Sequence, residues 1–160
     1  MLAMSTAIGH FSLPASTGQT LSFESFRGKV PIAMVFLGDL SAEEERNLLT
    51  ELDSHLKDFG SQRAQLLIVS RVTARVAREV SDEMGLAVPL LADASGALAR
   101  EHGAEDETGR RIPVAILADK DGAIVRRFDP LPEDDPASAI EALLYSVRAL
   151  GSTALSGPGG

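Results

Sequence analysis

A length of 160 residues, 44% apolar and 24% charged, describes one globular domain with enough material for a single core. A formal charge of −8 argues against nucleic acid as the main partner, because phosphate binding needs a basic surface. The chain contains no cysteine, which excludes disulfides, thiolate metal sites and every thiol-based redox mechanism.

Residues 1–9 read as a flexible lead-in, and Met1-Leu2-Ala3-Met4-Ser5 lacks the charged and long apolar parts of a signal peptide. No apolar run approaches the ~20 residues that span a bilayer. The expectation is a cytoplasmic protein with no membrane role. From His10 to Gly28, short alternating apolar positions punctuated by Pro14, Gly18 and Gly28 predict a small hairpin and a turn. Val30 to Leu37 is too continuously apolar for a half-exposed strand and is predicted to be central in the sheet. Through Gly38-Asp39-Leu40 it meets an acidic helix start and a first long helix over Ser41–Phe59, with apolar positions at Leu48, Leu49, Leu52, Leu56 and Phe59 and a stop near Gly60. A strand running into a helix N-terminus is where many α/β proteins place chemistry, since free N–H groups and the helix dipole favour an anion there.

Ala64 to Ser70 predicts a second buried strand, and Val72, Val76, Val80 and Met84 a helix that Gly85 stops. Val88 to Leu91 reads as a short strand, Asp93 to His102 as a short helix closed by Gly103, and Glu105 to Arg111 as an exposed loop. Val114–Ala118 and Ala123–Phe128 flank Asp119-Lys120-Asp121-Gly122, a strong hairpin signal. That tetrapeptide begins like a calcium loop, but Ala123 and Pro130 stand at its fifth and twelfth positions, where ligands are required. After the acidic loop Pro130–Asp134, Asp135 caps a helix starting at Pro136, with Ile140, Leu143, Leu144, Val147 and Leu150 on its apolar face. Gly151 is expected to end it, leaving 152–160 as a flexible Gly/Ser tail. Strands alternating with helices and closing on a hairpin plus a helix predict an α/β layered domain, over residues 10–151, with a mixed sheet covered on both faces.

Several stretches, in order, are similar to a known group. The segment FSLPASTGQTLSFESFRGKVPIAMVFL resembles the opening of peroxiredoxins and the wider redoxin group (alkyl hydroperoxide reductase/thiol-specific antioxidant and related thioredoxin-like proteins), where F-x-L-P…G-x-x-x-L-x-x-F-R-G-K precedes the first core strand. VPLLADASGALAREHGA resembles that group's F-P-L-L-S-D-x-x-G-x-x-A-x-x-Y-G-V, and IPVAILADKDGAIVRRF its closing P-x-x-F-L-I-D-x-D-G-x-I-x-x-x-F hairpin. The likeness covers roughly residues 10 to 150. It implies a thioredoxin fold, a mixed sheet flanked by helices, with an N-terminal β-hairpin extension. It also implies a thiol-dependent peroxidase with antioxidant activity, often dimeric.

The chain departs from that group at its reactive centre. Laid on this sequence, P-x-x-x-T/S-x-x-C puts Met34 at the proline, Gly38 at the threonine and Ser41 at the peroxidatic cysteine. The alternative C-x-x-C falls on Ser41 and Glu44. The arginine that supports the peroxidatic thiolate in peroxiredoxins aligns near Pro113, which instead resembles the cis-proline of thioredoxins, with Ile112 before it. A single cysteine-to-serine exchange would account for Ser41 but not for Gly38, Met34 or the second missing cysteine. A serine hydroxyl is a far weaker nucleophile than a thiolate, and oxygen cannot run the sulfenic acid and disulfide cycle.

Ser41-Ala42-Glu43-Glu44 fits the S-x-x-E capping box, so the expectation is a capped helix start rather than a catalytic serine. The cleft is expected to contain Gly38, Asp39, Arg111, Ile112 and Pro113. Arg110 or Arg111 could meet Asp39 and the Glu43/Glu44 pair in a salt bridge. Arg71, Arg75 and Arg78 read as a solvated helix face, and His10, His55 and His102 as surface or packing residues rather than metal ligands. No cofactor and no metal is expected, and the partner class is another protein or a second copy of the chain. The functional expectation is a non-catalytic binding or regulatory module. The alternatives are the peroxidase activity of the group and a non-thiol activity in the same cleft using Ser41, Asp39 and Glu44.

Overall fold

In chain order the elements are β1 (Ser12–Pro14), β2 (Thr20–Ser22), β3 (Ile32–Leu37), α1 (Glu43–Ser54), α2 (Leu56–Ser61), β4 (Gln65–Ser70), α3 (Ala74–Met84), β5 (Leu90–Ala92), α4 (Ala97–Glu101), β6 (Val114–Ala118), β7 (Ile124–Phe128) and α5 (Pro136–Leu155), with one 3-10 turn at Phe23–Ser25. This computed structural model describes residues 7–38, 40, 42–104, 113–129, 131 and 135–155. The exposed loop Glu105–Arg111 expected from the sequence lies outside the described residues.

The main sheet has the order β5-β4-β3-β6-β7. β3 runs parallel to β4 and antiparallel to β6, so Val35 faces Ile68 on one side and Ala115 on the other. A strand in the middle of a sheet covered on both faces has no position to give to water, and all six residues of β3 are buried. Its alternation divides the core. Ala33, Val35 and Leu37 join Leu48, Leu49 and Leu52 of α1, Phe59 of α2, Ala77 and Val80 of α3, and Ile140, Leu143, Leu144 and Val147 of α5. Ile32, Met34 and Phe36 join Ile8, Phe11, Phe23, and Leu98 and Ala99 of α4. β3 to β4 to β5 steps one way through parallel crossovers, which share one hand, so α1, α2 and α3 share a face; α4, before the antiparallel β6, lies on the other. The β1-β2 hairpin lies on the α4 side, bridged to the sheet at Ala15–Leu91. This is the thioredoxin fold with the hairpin extension that the resemblance implies.

Several local expectations are corrected. The long first helix is broken at His55, whose ring binds Asp58 at 2.8 Å; the break lets Leu52 and Phe59 both reach the core. Gly60 lies inside α2, and the left-handed position that follows is Arg63 at φ 58. On α3 the stripe is Ala77 and Val80 with Met84 partly buried, whereas Val76 is 37% exposed. A spacing of four drifts about 40° per step around a helix, so a four-residue repeat spirals off any one face. α5 passes through Gly151 to Leu155, since glycine inside a helix costs only about 1 kcal/mol and does not by itself stop it.

The short helix α4 begins at Ala97, not Asp93. Asp93 is buried, and its carboxylate accepts from the N–H groups of Leu98 and Ala99 at 3.3 and 3.0 Å. Ala7 bridges Ala123, and Ile8 is fully buried. Among the described residues no helix is long and apolar enough to cross a membrane.

The β6-β7 turn is locked by Asp119, whose Oδ1 accepts from the N–H groups of Asp121 and Ala123 at 2.9 and 3.0 Å. Gly122 sits there at φ +92, and a Cβ on it would stand 2.6 Å from Phe23 Cζ. Gly122→Ala therefore combines backbone strain with overpacking, and urea unfolding should show a loss of at least about 2 kcal/mol. A double-mutant cycle with Phe23→Leu should recover the overpacking part only. Additivity of the two changes would refute the contact.

Candidate functional site

The joint between β3 and α1 is where the sequence points. Gly38, the first residue past β3, is buried and both of its backbone groups are engaged. Its N–H donates to Glu45 Oε2 at 3.4 Å, and its carbonyl accepts from the Ser70 hydroxyl at 3.1 Å. Ser70 ends β4, in register beside Leu37, so the parallel pairing itself delivers the hydroxyl. Two residues on, the Leu40 carbonyl accepts from Arg46 Nε at 2.8 Å, and Arg46 Nη1 reaches Glu83 of α3 at 2.8 Å. The joint is thus strapped by side chains from α1 and β4 and anchored to α3.

The helix start differs from the expected capping box. The N-cap of α1 is Ala42, with no side-chain cap, one residue beyond the expected Ser41. The third helical residue is therefore Glu45 rather than Glu44. Glu43 and Glu44 are exposed, whereas Glu45 is only 7% exposed and turns its carboxylate back toward the strand end. Glu45 falls on the same helical face as Leu48, Leu49 and Leu52, and burial of that face carries it inward. Asp39 and Ser41 lie outside the described residues.

Pro113 is buried at the entry to β6, and its carbonyl accepts from the Leu131 N–H at 2.6 Å. Phe36 pairs with Val114, so one further step of the register sets Pro113 against Leu37 and brings it to the same end of the sheet as Gly38. Arg110, Arg111 and Ile112 lie outside the described residues, and with them the proposed arginine contact to Asp39, Glu43 or Glu44. Arg71, Arg75 and Arg78 are exposed, and Arg75 pairs with Glu79 at 3.4 Å.

The histidines are scattered. His10 meets Glu24 at 3.1 Å on the surface, His55 sits in the α1-α2 bend, and His102 is buried on the opposite face of the sheet. Burial holds the His102 imidazole below its ordinary value, against the pull of Glu101 and of the Ile8 carbonyl, with Arg127 adding to the lowering. Among the described residues no group of three or more His, Asp or Glu side chains gathers in metal-binding geometry.

The family profile of AhpC/TSA proteins matches residues 4–127. The chain belongs to the AhpC/TSA family. The fold is shared with peroxidoxin BcpB from Mycobacterium tuberculosis, at 20% identity and a TM-score of 0.80 over 92% of this chain and 99% of that one. It is shared likewise with peroxiredoxin Q from Xanthomonas campestris (20%, TM-score 0.77, 88% and 91%) and with AhpC from Enterococcus faecalis (20%, TM-score 0.74, 91% and 94%). A search of curated protein sequences finds no match.

In this AhpC/TSA chain the turn after the central strand is built from Glu45, Arg46 and Ser70, none of which stood out in the sequence. Glu45 carried a signal: of three consecutive glutamates it alone lies three and four residues before Leu48 and Leu49. Ser70 carried none, because its role depends on strand pairing. Truncating a buried, hydrogen-bonded carboxylate leaves its donors unsatisfied, so Glu45→Ala should cost about 1–3 kcal/mol in chemical unfolding. Glu45→Gln, which keeps an acceptor of the same reach, should cost less than half of that. Equal losses would mean that the carboxylate itself, rather than its shape and the hydrogen bond from Gly38, holds the joint.

Proposed function

We propose that this AhpC/TSA chain is a non-catalytic binding or regulatory module acting in the cytoplasm, with another protein or a second copy of itself as partner. The observation that carries the reading is the absence of cysteine from all 160 residues. Peroxide reduction by this family's route transfers oxygen to a thiolate and needs a thiol to regenerate it, and a hydroxyl supports neither step. The joint agrees with this: its buried polar groups at Gly38, Glu45 and Ser70 are bonded to one another. A second copy is a reasonable partner because β7 ends the sheet and its outer edge pairs with no strand among the described residues.

The thiol-peroxidase alternative lacks its nucleophile. A non-thiol activity in the same cleft would need Ser41, Asp39 and Glu44 to converge, and Glu44 is exposed on α1.

Consumption of hydrogen peroxide and of an organic hydroperoxide, with dithiothreitol or thioredoxin as the thiol donor, tests the reading. The expected rate equals that of buffer with donor alone. Consumption that scales with chain concentration would overturn it.

A further inference from the structure

His102 is fully buried, and its two ring nitrogens have opposite fates. Nε2 lies 3.1 Å from the Ile8 carbonyl. A carbonyl only accepts, so Nε2 carries the hydrogen and Nδ1 of the neutral ring is bare. Nδ1 is buried and has no hydrogen-bond partner among the described residues. The ring packs on Phe36 of β3, 5.8 Å between centroids. Ile8 is itself fully buried, and its N–H donates to the Gly122 carbonyl at 2.8 Å. The segment from Ala7 is therefore held at one residue by both the β6-β7 turn and the end of α4.

We propose that His102 is an acid-sensitive latch: a proton taken up from solvent on Nδ1 releases the Ala7–Phe11 segment while the five-stranded sheet stays folded.

A proton on Nδ1 creates a buried cation whose new N–H has no acceptor among the described residues, and relief requires the ring to reach water. Phe36 cannot move aside, because it belongs to the central strand and is paired on both sides. The Ile8 side is held by the Ile8–Gly122 bond, the Ala7–Ala123 bridge and its own packing, and it is the cover that gives way. The charges around the ring do not prevent this. Glu101 Oε2, on the same element, lies 3.6 Å from Nε2, the nitrogen that already holds a hydrogen. Arg127 of β7, paired with Asp129 at 3.0 Å, opposes the cation. Among the described residues β3 meets the ring with Phe36, and the N-terminal segment with the Ile8 carbonyl.

The closed imidazole titrates below the ordinary 6.5 and the released one near it. As pH falls below 6.5 the released form takes up its proton first, so release grows by up to tenfold per pH unit until the closed ring also titrates.

Hydrogen exchange of the Ile8 amide, against Val35 of β3 as an internal reference, tests this between pH 7.5 and 5. The protection factor of Ile8 should fall by up to tenfold per unit below pH 6.5 while that of Val35 holds. The fall should begin near pH 6.5 and level off where imidazole nitrogen shifts in the same wild-type sample show the closed His102 ring titrating. In His102→Gln, whose amide can still donate to Ile8 but does not titrate, the fall should vanish. Ile8 protection that ignores the His102 titration, that falls equally in the variant, or that is lost together with Val35 would overturn the latch.

Discussion

The burial of β3 on both faces and both edges is the constraint from which the rest of this molecule follows. Six consecutive apolar residues with no solvent side can exist only where other elements cover every direction. The odd positions, Ala33, Val35 and Leu37, assemble four helices on one face; the even ones, Ile32, Met34 and Phe36, gather α4, the hairpin flank and Ile8 on the other. The strand must then end somewhere buried, and it ends at Gly38. There the backbone can no longer use the ladder, and buried N–H and carbonyl groups need partners. Glu45 and Ser70 supply them.

That end of the strand explains how a member of a redox family can keep its fold with its redox atoms gone. The turn into a helix N-terminus favours negative charge whatever carries it. In the relatives that the sequence resembles the charge is a thiolate. Here a buried carboxylate at the third helical position bonds back to the strand end. The same electrostatic preference is met by a group that holds the chain together and cannot be oxidised. Arg46, bridging the Leu40 carbonyl and Glu83, extends the joint toward α3. Fold and chemistry separate at this point, as they do across folds in general.

Much of this was legible in the residues. The runs at Ile32–Leu37 and Gln65–Ser70, the Asp119–Gly122 turn and the Asp135-Pro136 helix start each carry a local physical signature, and each formed where expected. What depends on distant neighbours was not legible. The break at His55 serves Phe59, the true stripe of α3 is set by the sheet beneath it, and Asp93 reaches across a turn to cap α4. At the site, the resemblance puts Gly38 and Pro113 in one expected cleft; Gly38 follows β3 and Pro113 precedes β6, whose ladder with β3 reaches Phe36–Val114. The capping box expected over Ser41–Glu44 makes Glu44 the third helical residue; with Ala42 as the N-cap that position passes to Glu45, which is buried. His102 looked like one of three unremarkable histidines, and only the packing of Phe36 and Ile8 around it reveals its unpaired nitrogen.

The central claim is that the loss extends beyond one atom to the surroundings that would activate it. Laid on the pattern that the sequence resembles, Met34 and Gly38 stand at the supporting proline and threonine and the arginine aligns near Pro113, while Glu45 places a buried carboxyl group at the same joint. The most direct measurement is the rate at which Ser41→Cys reacts with hydrogen peroxide. An unassisted thiol should react within about tenfold of free cysteine at the same pH, since its thiolate fraction is set by an ordinary pKa. A rate about a thousandfold or more above free cysteine would show that the activating site survives, and would contradict the account.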